Sequence, residues 1–191
     1  MKKQTSPTKP LICPGCNKDI PDARLQRTLG RKVWFWGTIK TLDREDLVQK
    51  IVHWACDTCL HSGKALIGHP EAQLYCDFEP YLAYVSYEKA CETCHQAFVF
   101  SKEEQQHWYE TLRFWVQSKP KQCPACRREI REEKKLNTEL STLLMEKEKL
   151  TIQDMERLSD IYEEIQKPDK SKYYQSLVAK AKKKDSLQND V

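Results

Sequence analysis

Long apolar runs are missing from this chain. Across 191 residues, 39% of them hydrophobic and with a mean hydropathy of -0.76, no stretch of about 18 apolar residues occurs. That length is what a membrane-spanning helix requires, so a role within the bilayer is excluded. Charge of one sign is scarce too. The chain has 32 Lys+Arg against 28 Asp+Glu, a formal +4, which argues against a highly charged nucleic-acid tail. Met1-Lys2-Lys3-Gln4 leads into Ser, Pro and Lys rather than an apolar core. The expectation is a cytoplasmic protein with no secretory signal and no membrane partner. Glycine is down to five residues, none of them beyond Arg127. Ser62-Gly63-Lys64 lacks the earlier glycine of a phosphate-binding loop and reads as an ordinary turn. No Ser-His-Asp or Cys-His pattern stands out, and His69-Pro70-Glu71 is only a weak fragment of a nuclease-like site.

Cysteine, by contrast, is abundant. Eight of the nine fall into Cys-x-x-Cys pairs: Cys13/Cys16, Cys56/Cys59, Cys91/Cys94 and Cys123/Cys126. Two intervening residues let both sulfurs point at one ion from a tight turn, and two such half-sites close a tetrahedral four-thiolate centre. A disulfide scaffold needs no such regularity and belongs to oxidising compartments. The count therefore predicts two structural zinc ions per chain.

The pattern between the pairs indicates which half-sites combine. Lys32-Val33-Trp34-Phe35-Trp36 reads as a strand, Thr41 to Asp46 as a helix start, and Leu47, Val48, Ile51 and Val52 follow before Cys56. In the second interval Ala97-Phe98-Val99-Phe100 reads as a strand. Ser101 and Glu104 then have capping-box spacing. Trp108, Leu112 and Trp115, with Tyr109 and Val116 alongside, form one expected helical face ending before Pro120. Each interval thus runs knuckle, strand, helix, knuckle. That internal repeat favours pairing in sequence order, although the lengths alone allow the inner pairs to combine.

Residues 87–127 carry Cys91-Glu92-Thr93-Cys94, Phe98-Val99-Phe100-Ser101, Glu104-Gln105, Trp108-Tyr109-Glu110, Pro120 and Cys123-Pro124-Ala125-Cys126-Arg127. In these motifs the segment resembles the probable zinc-ribbon domain of many uncharacterised bacterial proteins. The resemblance implies zinc binding and little about a partner or reaction. That family has Gly after the second cysteine of the first knuckle, where this chain has His95. The two-pair spacing also resembles rubredoxin, which holds iron between knuckles followed by Gly. Here Asn17, Leu60, His95 and Arg127 follow the knuckles, and zinc is preferred.

Other residues have plainer expectations. Cys76, in Leu74-Tyr75-Cys76-Asp77-Phe78, reads as a small buried hydrophobe in a strand. His53, His61, His69, His95 and His107 read as polar surface or as donors to the thiolates. The aromatic clusters read as the small core that zinc domains otherwise lack, with base stacking as the alternative. Residues 1–59 carry +5 and residues 60–126 carry -2; a zinc with four thiolates adds -2 to each, leaving +3 and -4. Contacts with DNA or RNA would therefore fall on Arg24, Arg27, Arg31, Lys32, Trp34 and Trp36 of the first ribbon.

From Arg127 on, Glu, Lys and Leu dominate. A helix to Lys149 is expected, with Ile130, Leu136, Leu140, Leu143 and Leu144 as its stripe. A second follows from the Thr151-Ile152-Gln153-Asp154 cap to Lys167, and a third from about Lys170 to Lys184. The whole reads as small α+β zinc-ribbon domains in tandem followed by an α-helical C-terminal extension. Its segments are a flexible N-terminus (1–10), a first ribbon (11–62), a connecting segment with short strands (63–86), a second ribbon (87–127) and about three helices (128–191). Closed thiolate sites imply no catalysis and no small-molecule substrate. The expected role is an interaction or scaffold module that docks an unidentified protein through the helical arm; the alternative is a nucleic-acid-binding regulator.

Overall fold

Few segments of this chain are apolar enough to run far, and the N-terminal part is built accordingly from short pieces. The computed structural model describes residues 9–35, 37–145 and 149–189 and divides into two units, Met1–Cys123 and Pro124–Val191. The flexible N-terminus expected over 1–10 lies outside the described residues except for Lys9 and Pro10.

Among the described residues the first unit holds three two-stranded antiparallel sheets: β1 (Lys32–Phe35) with β2 (Thr38–Thr41), β3 (Ala65–Ile67) with β4 (Ala83–Val85), and β5 (Tyr87–Ala90) with β6 (Ala97–Phe100). Three one-turn helices accompany them: α1 (Arg44–Val48), α2 (Asp57–His61) and α3 (Lys102–Gln106). Local chemistry accounts for the helix starts. Asp43 and Asp46 form a reciprocal capping box on α1, and the buried Asp46 carboxylate also pairs with Lys40. Ser101 caps α3 by accepting from the Glu104 amide at 3.1 Å.

Two expected helices are cut short. After α1 the chain turns at Lys50 (φ 58), so Ile51 and Val52 leave the helix and His53 pairs with Tyr81 in a parallel bridge. After α3 the chain widens into one π turn over His107–Thr111, and Arg113 (φ 53) then ends it. Val116 donates its amide to Leu74 O at 3.0 Å. The expected face is therefore divided: Tyr109 and Val116 are buried, whereas Leu112, Phe114 and Trp115 are exposed. A pairing partner 41 residues earlier in sequence, Leu74 for Trp115, captured the end of the segment, a contact that helical spacing does not encode. Cys76 is likewise not a buried strand residue. It is exposed on a turn at φ 43, closed by the Phe78 amide on Tyr75 O.

Among the described residues of the first unit, two apolar clusters stand out. One surrounds the first cysteine group and includes Leu11, Ile20, Leu25, Val33, Leu47 and Trp54. The other is aromatic, with Tyr75, Tyr81, Tyr84, Phe100 and Tyr109, and Tyr81 stacks on Tyr109 at 4.9 Å. The strand β4 belongs to both, because alternate residues point to opposite faces: Ala83 enters the first cluster and Tyr84 the second. Arg31 donates to Leu82 O (3.4 Å), just before β4, and to Gly68 O (3.1 Å), just after β3.

In the second unit, α4 (Pro124–Met145), α5 (Ile152–Glu164) and α6 (Pro168–Asn189) are the three expected helices, α5 starting at the Thr151 cap and α6 at Pro168 rather than at Lys170. Thr151 and Asp154 form a capping box. Gln166 (φ 57) ends α5 in a left-handed turn, with the Lys167 amide reaching back to Tyr162 O at 2.7 Å. Pro168, which needs no amide partner, opens α6. Leu158, Tyr162 and Tyr174 form the core, and Leu140, Leu143 and Leu144 pack on it. Arg157 grips Glu139 with two bonds of 2.7 and 2.8 Å. The leucine stripe is thus spent on the unit itself, while Ile130 stays 44% exposed.

Gly68 provides a test of this packing. A Cβ there would lie 2.2 Å from Tyr81 O, a backbone atom that cannot swing away, whereas Gly30 (φ +78) has open space and only an unfavourable φ. Gly68→Ala should cost about 3 kcal/mol in denaturant melts of the zinc-loaded protein, and Gly30→Ala about 1 kcal/mol. Equal losses would refute the close approach.

Candidate metal centres

Both four-cysteine groups assemble in sequence order. Cys13, Cys16, Cys56 and Cys59 bring their sulfurs within 4.8 Å of one another, and so do Cys91, Cys94, Cys123 and Cys126. In the first group Cys13 and Cys16 sit on a turn closed by the bridge Ile12↔Asp19, and Cys56 caps α2, whose interior holds Cys59. In the second, Cys91 and Cys94 occupy the turn between β5 and β6. Cys123 then precedes Pro124, the first residue of α4, and Cys126 lies in that helix's first turn. The second pair of each set thus comes from a helix N-terminus rather than from another knuckle. The positive end of the helix faces the anionic thiolates there.

The two centres repeat each other bond for bond. The Cys13 amide donates to Lys18 O (2.9 Å) and the Cys91 amide to Gln96 O (2.9 Å). The Asn17 amide reaches Cys13 O (2.8 Å) and the His95 amide reaches Cys91 O (3.0 Å). Asn17 and His95 both adopt the left-handed conformation, at φ 56 and 59. His95 therefore takes the turn that glycine usually fills, without a change in the knuckle. The Cys56 amide donates to Cys13 Sγ at 3.3 Å and the Cys123 amide to Cys91 Sγ at 3.2 Å.

These sulfurs fit zinc. A tetrahedral ion with Zn–S bonds of about 2.3 Å separates its ligands by roughly 3.8 Å. The sulfur separations are 3.9 Å for Cys13–Cys59, 3.9 Å for Cys16–Cys56 and 3.8 Å for Cys94–Cys123. All nine cysteines are free of disulfides. Four soft thiolates with no carboxylate or water position make a closed structural site, and the protein binds two zinc ions. Desolvation pushes the Cys13 and Cys59 thiols up, so the first site depends on the ion to hold them deprotonated. At the second site the backbone amides of Cys94 and Cys123 lower the Cys91 thiol to about 6.

Two residues that spacing did not single out support the first centre. Gly15 lies against Cys59; a Cβ there would come within 3.1 Å of its sulfur. Asp57, at the start of α2, accepts from the amides of Gln26 (2.8 Å) and Arg27 (3.1 Å), anchoring the long loop from Asn17 to Gly30 beside the metal. The only signal for Asp57 was an acid at the first helical position after a cysteine.

The nucleic-acid candidates are dispersed in their roles. Arg24, Arg27 and Lys32 are exposed, and the Trp34 ring is 48% exposed opposite Ile39 rather than in the core. Arg31 is half-buried with its guanidinium on backbone carbonyls, and Trp36 lies outside the described residues. Among the histidines, His53 stacks on Tyr81 at 4.0 Å, and desolvation, aided by Lys119, lowers its imidazole to about 4. His69 pairs with Glu110, which also accepts from the Tyr84 hydroxyl.

Residues 87–135 match the model of a family described as a probable treble clef domain, and the second centre, a knuckle in a hairpin followed by a helix, lies within that match. No curated protein and no solved structure matches the chain. This segment is a zinc-ribbon-type domain, and the first centre reproduces its ligand geometry outside the matched residues. Native mass spectrometry with elemental analysis should find two zinc ions per chain. Cys13→Ser and Cys91→Ser should each lose one ion and leave the other. Iron, or loss of both ions from either variant, would overturn the assignment of two separate centres.

Proposed function

We propose that this chain is a non-catalytic zinc-organised scaffold whose helical unit docks a protein partner. The observation that carries the reading is the division of labour along α4. Its C-terminal end packs on α5 and α6 through Leu140, Leu143 and Leu144. Over residues 127–139 none of its residues is buried, and Ile130 stands exposed among Arg, Glu and Lys. A helix solvated along half its length adds nothing to its own unit's core, which supports a recognition role. Tyr173 of α6, 53% exposed, offers a second large side chain. The eight thiolates leave no open coordination position, which supports a structural rather than catalytic use of zinc.

A second reading, binding of single-stranded nucleic acid by the first ribbon, draws on one specific observation. The half-exposed Trp34 ring shares strand β1 with the exposed Lys32, a base-stacking surface next to a phosphate contact. Arg31 contributes to the fold in this reading, not to the contact.

One experiment separates the two. A photo-crosslinking amino acid is placed at Ile130 in one sample and at Trp34 in another, and each is irradiated in cell extract. The scaffold reading expects a discrete protein adduct from position 130 and none from position 34. Nucleic-acid adducts from position 34 alone would replace it with the second reading, and adducts from neither would overturn both.

A further inference from the structure

The two centres repeat each other in bonding but not in exposure. In the first, Cys13, Cys56 and Cys59 are no more than 1% exposed, and Cys16 is half-buried. Leu11, Trp54 and Ala55 belong to the same packed cluster, and Gly15 lies against the Cys59 sulfur. In the second, Cys91, Cys123 and Cys126 are buried, and Cys94 is the one exposed ligand of the eight. Its knuckle is open on both sides, because Glu92, Thr93, His95 and Gln96 are exposed too.

A second thiolate stands beside this ligand. Cys94 Sγ lies 3.8 Å from Cys123 Sγ. Backbone groups keep the two segments side by side. The Glu92 amide donates to Lys121 O at 2.9 Å, and the Cys123 amide donates to Cys91 Sγ at 3.2 Å. Closed coordination bars a substrate from the ion, but it does not bar an oxidant from a ligand sulfur. Oxidation of cysteine follows thiolate character and exposure, and a neighbouring thiol resolves the product. Cys94 meets the exposure condition and Cys123 is the neighbour in place.

We infer that Cys94 is a modification site for hydroperoxides, and that the second centre is an oxidant-sensitive metal site while the first is not. The Cys94 thiolate attacks one oxygen of hydrogen peroxide; the O–O bond breaks, leaving a sulfenic acid and hydroxide. The Cys123 thiolate then attacks the Cys94 sulfur, the S–O bond breaks, and a disulfide and a second hydroxide result. The two cysteines lose two electrons and the peroxide gains them. Cys91 and Cys126 remain as thiolates, too few to hold a four-coordinate ion. A dithiol reductant returns both thiolates and restores the site.

Graded hydrogen peroxide on the full zinc-loaded chain tests the assignment. The background carries Cys76→Ser, because Cys76 is an exposed thiol outside both centres. A chromogenic chelator follows the released metal, and peptide mapping locates the disulfide. One ion per chain should leave about tenfold faster than the other. Cys94 should then be joined to Cys123, with Cys13, Cys16, Cys56 and Cys59 still reduced. Cys94→His replaces the exposed thiol by another zinc ligand and should slow the fast release about tenfold. Cys16→His should leave that release unchanged. The inference is overturned if both ions leave at one rate, if the first centre is oxidised first, or if the disulfide excludes Cys94. The disulfide map of the parent chain decides the matter even where Cys94→His fails to load.

Discussion

Four thiolates cannot be held within 4.8 Å of one another unless a cation neutralises them. At that spacing each pair of charges repels, and burial removes the water that would screen them. Zinc turns the repulsion into bonds, and this exchange decides the architecture of the first unit. Its hairpins and one-turn helices are each too short to be stable alone. Fastened at Cys13, Cys16, Cys56 and Cys59, they enclose a core of Leu11, Leu25, Leu47 and Trp54 that the metal helps to place. The amides directed at Cys13 Sγ and Cys91 Sγ extend the coordination into the backbone, so each knuckle is held by bonds that a disulfide would not call for.

The helical unit rests on a different balance. It has caps at Thr151, a left-handed stop at Gln166 and a proline start at Pro168, and its core is a small set of leucines and tyrosines. The Arg157–Glu139 pair lies on a partly exposed surface, where geometry rather than raw attraction gives it value. Hydrophobic burial closes this unit; coordination closes the other. One chain therefore solves the problem of a small core in two ways.

The sequence revealed the metal chemistry in full and the packing in part. The Cys-x-x-Cys periodicity located all eight ligands, and the repeat of strand and helix signals indicated how they combine. Ser101 and Thr151 marked true helix starts because capping is a local interaction, readable within four residues. The helix expected through Trp115 was not legible. Its apolar spacing is shared between Tyr109, buried in an aromatic cluster, and Trp115, bridged to Leu74. That pairing is long-range, as are Arg31 on the Leu82 and Gly68 carbonyls and Asp57 on the loop amides. Cys76 and Trp34 were misplaced for a related reason. Residue type favours burial on average, yet a turn at φ 43 and a half-open hairpin face leave these two in solvent.

The strand β4 was expected as part of a connecting segment, and it is the wall that two cores share. Ala83 faces the cluster around the first zinc, and Tyr84, the next residue, faces the aromatic cluster beside β6. No linker in the ordinary sense therefore separates the two ribbons. Releasing the first ion would loosen one face of β4 and, through the same peptide bonds, the seating of Tyr84 on the other. The metal centres are chemically separate, yet a single strand carries one residue into the packing beside the first centre and the next residue into the aromatic packing beyond it.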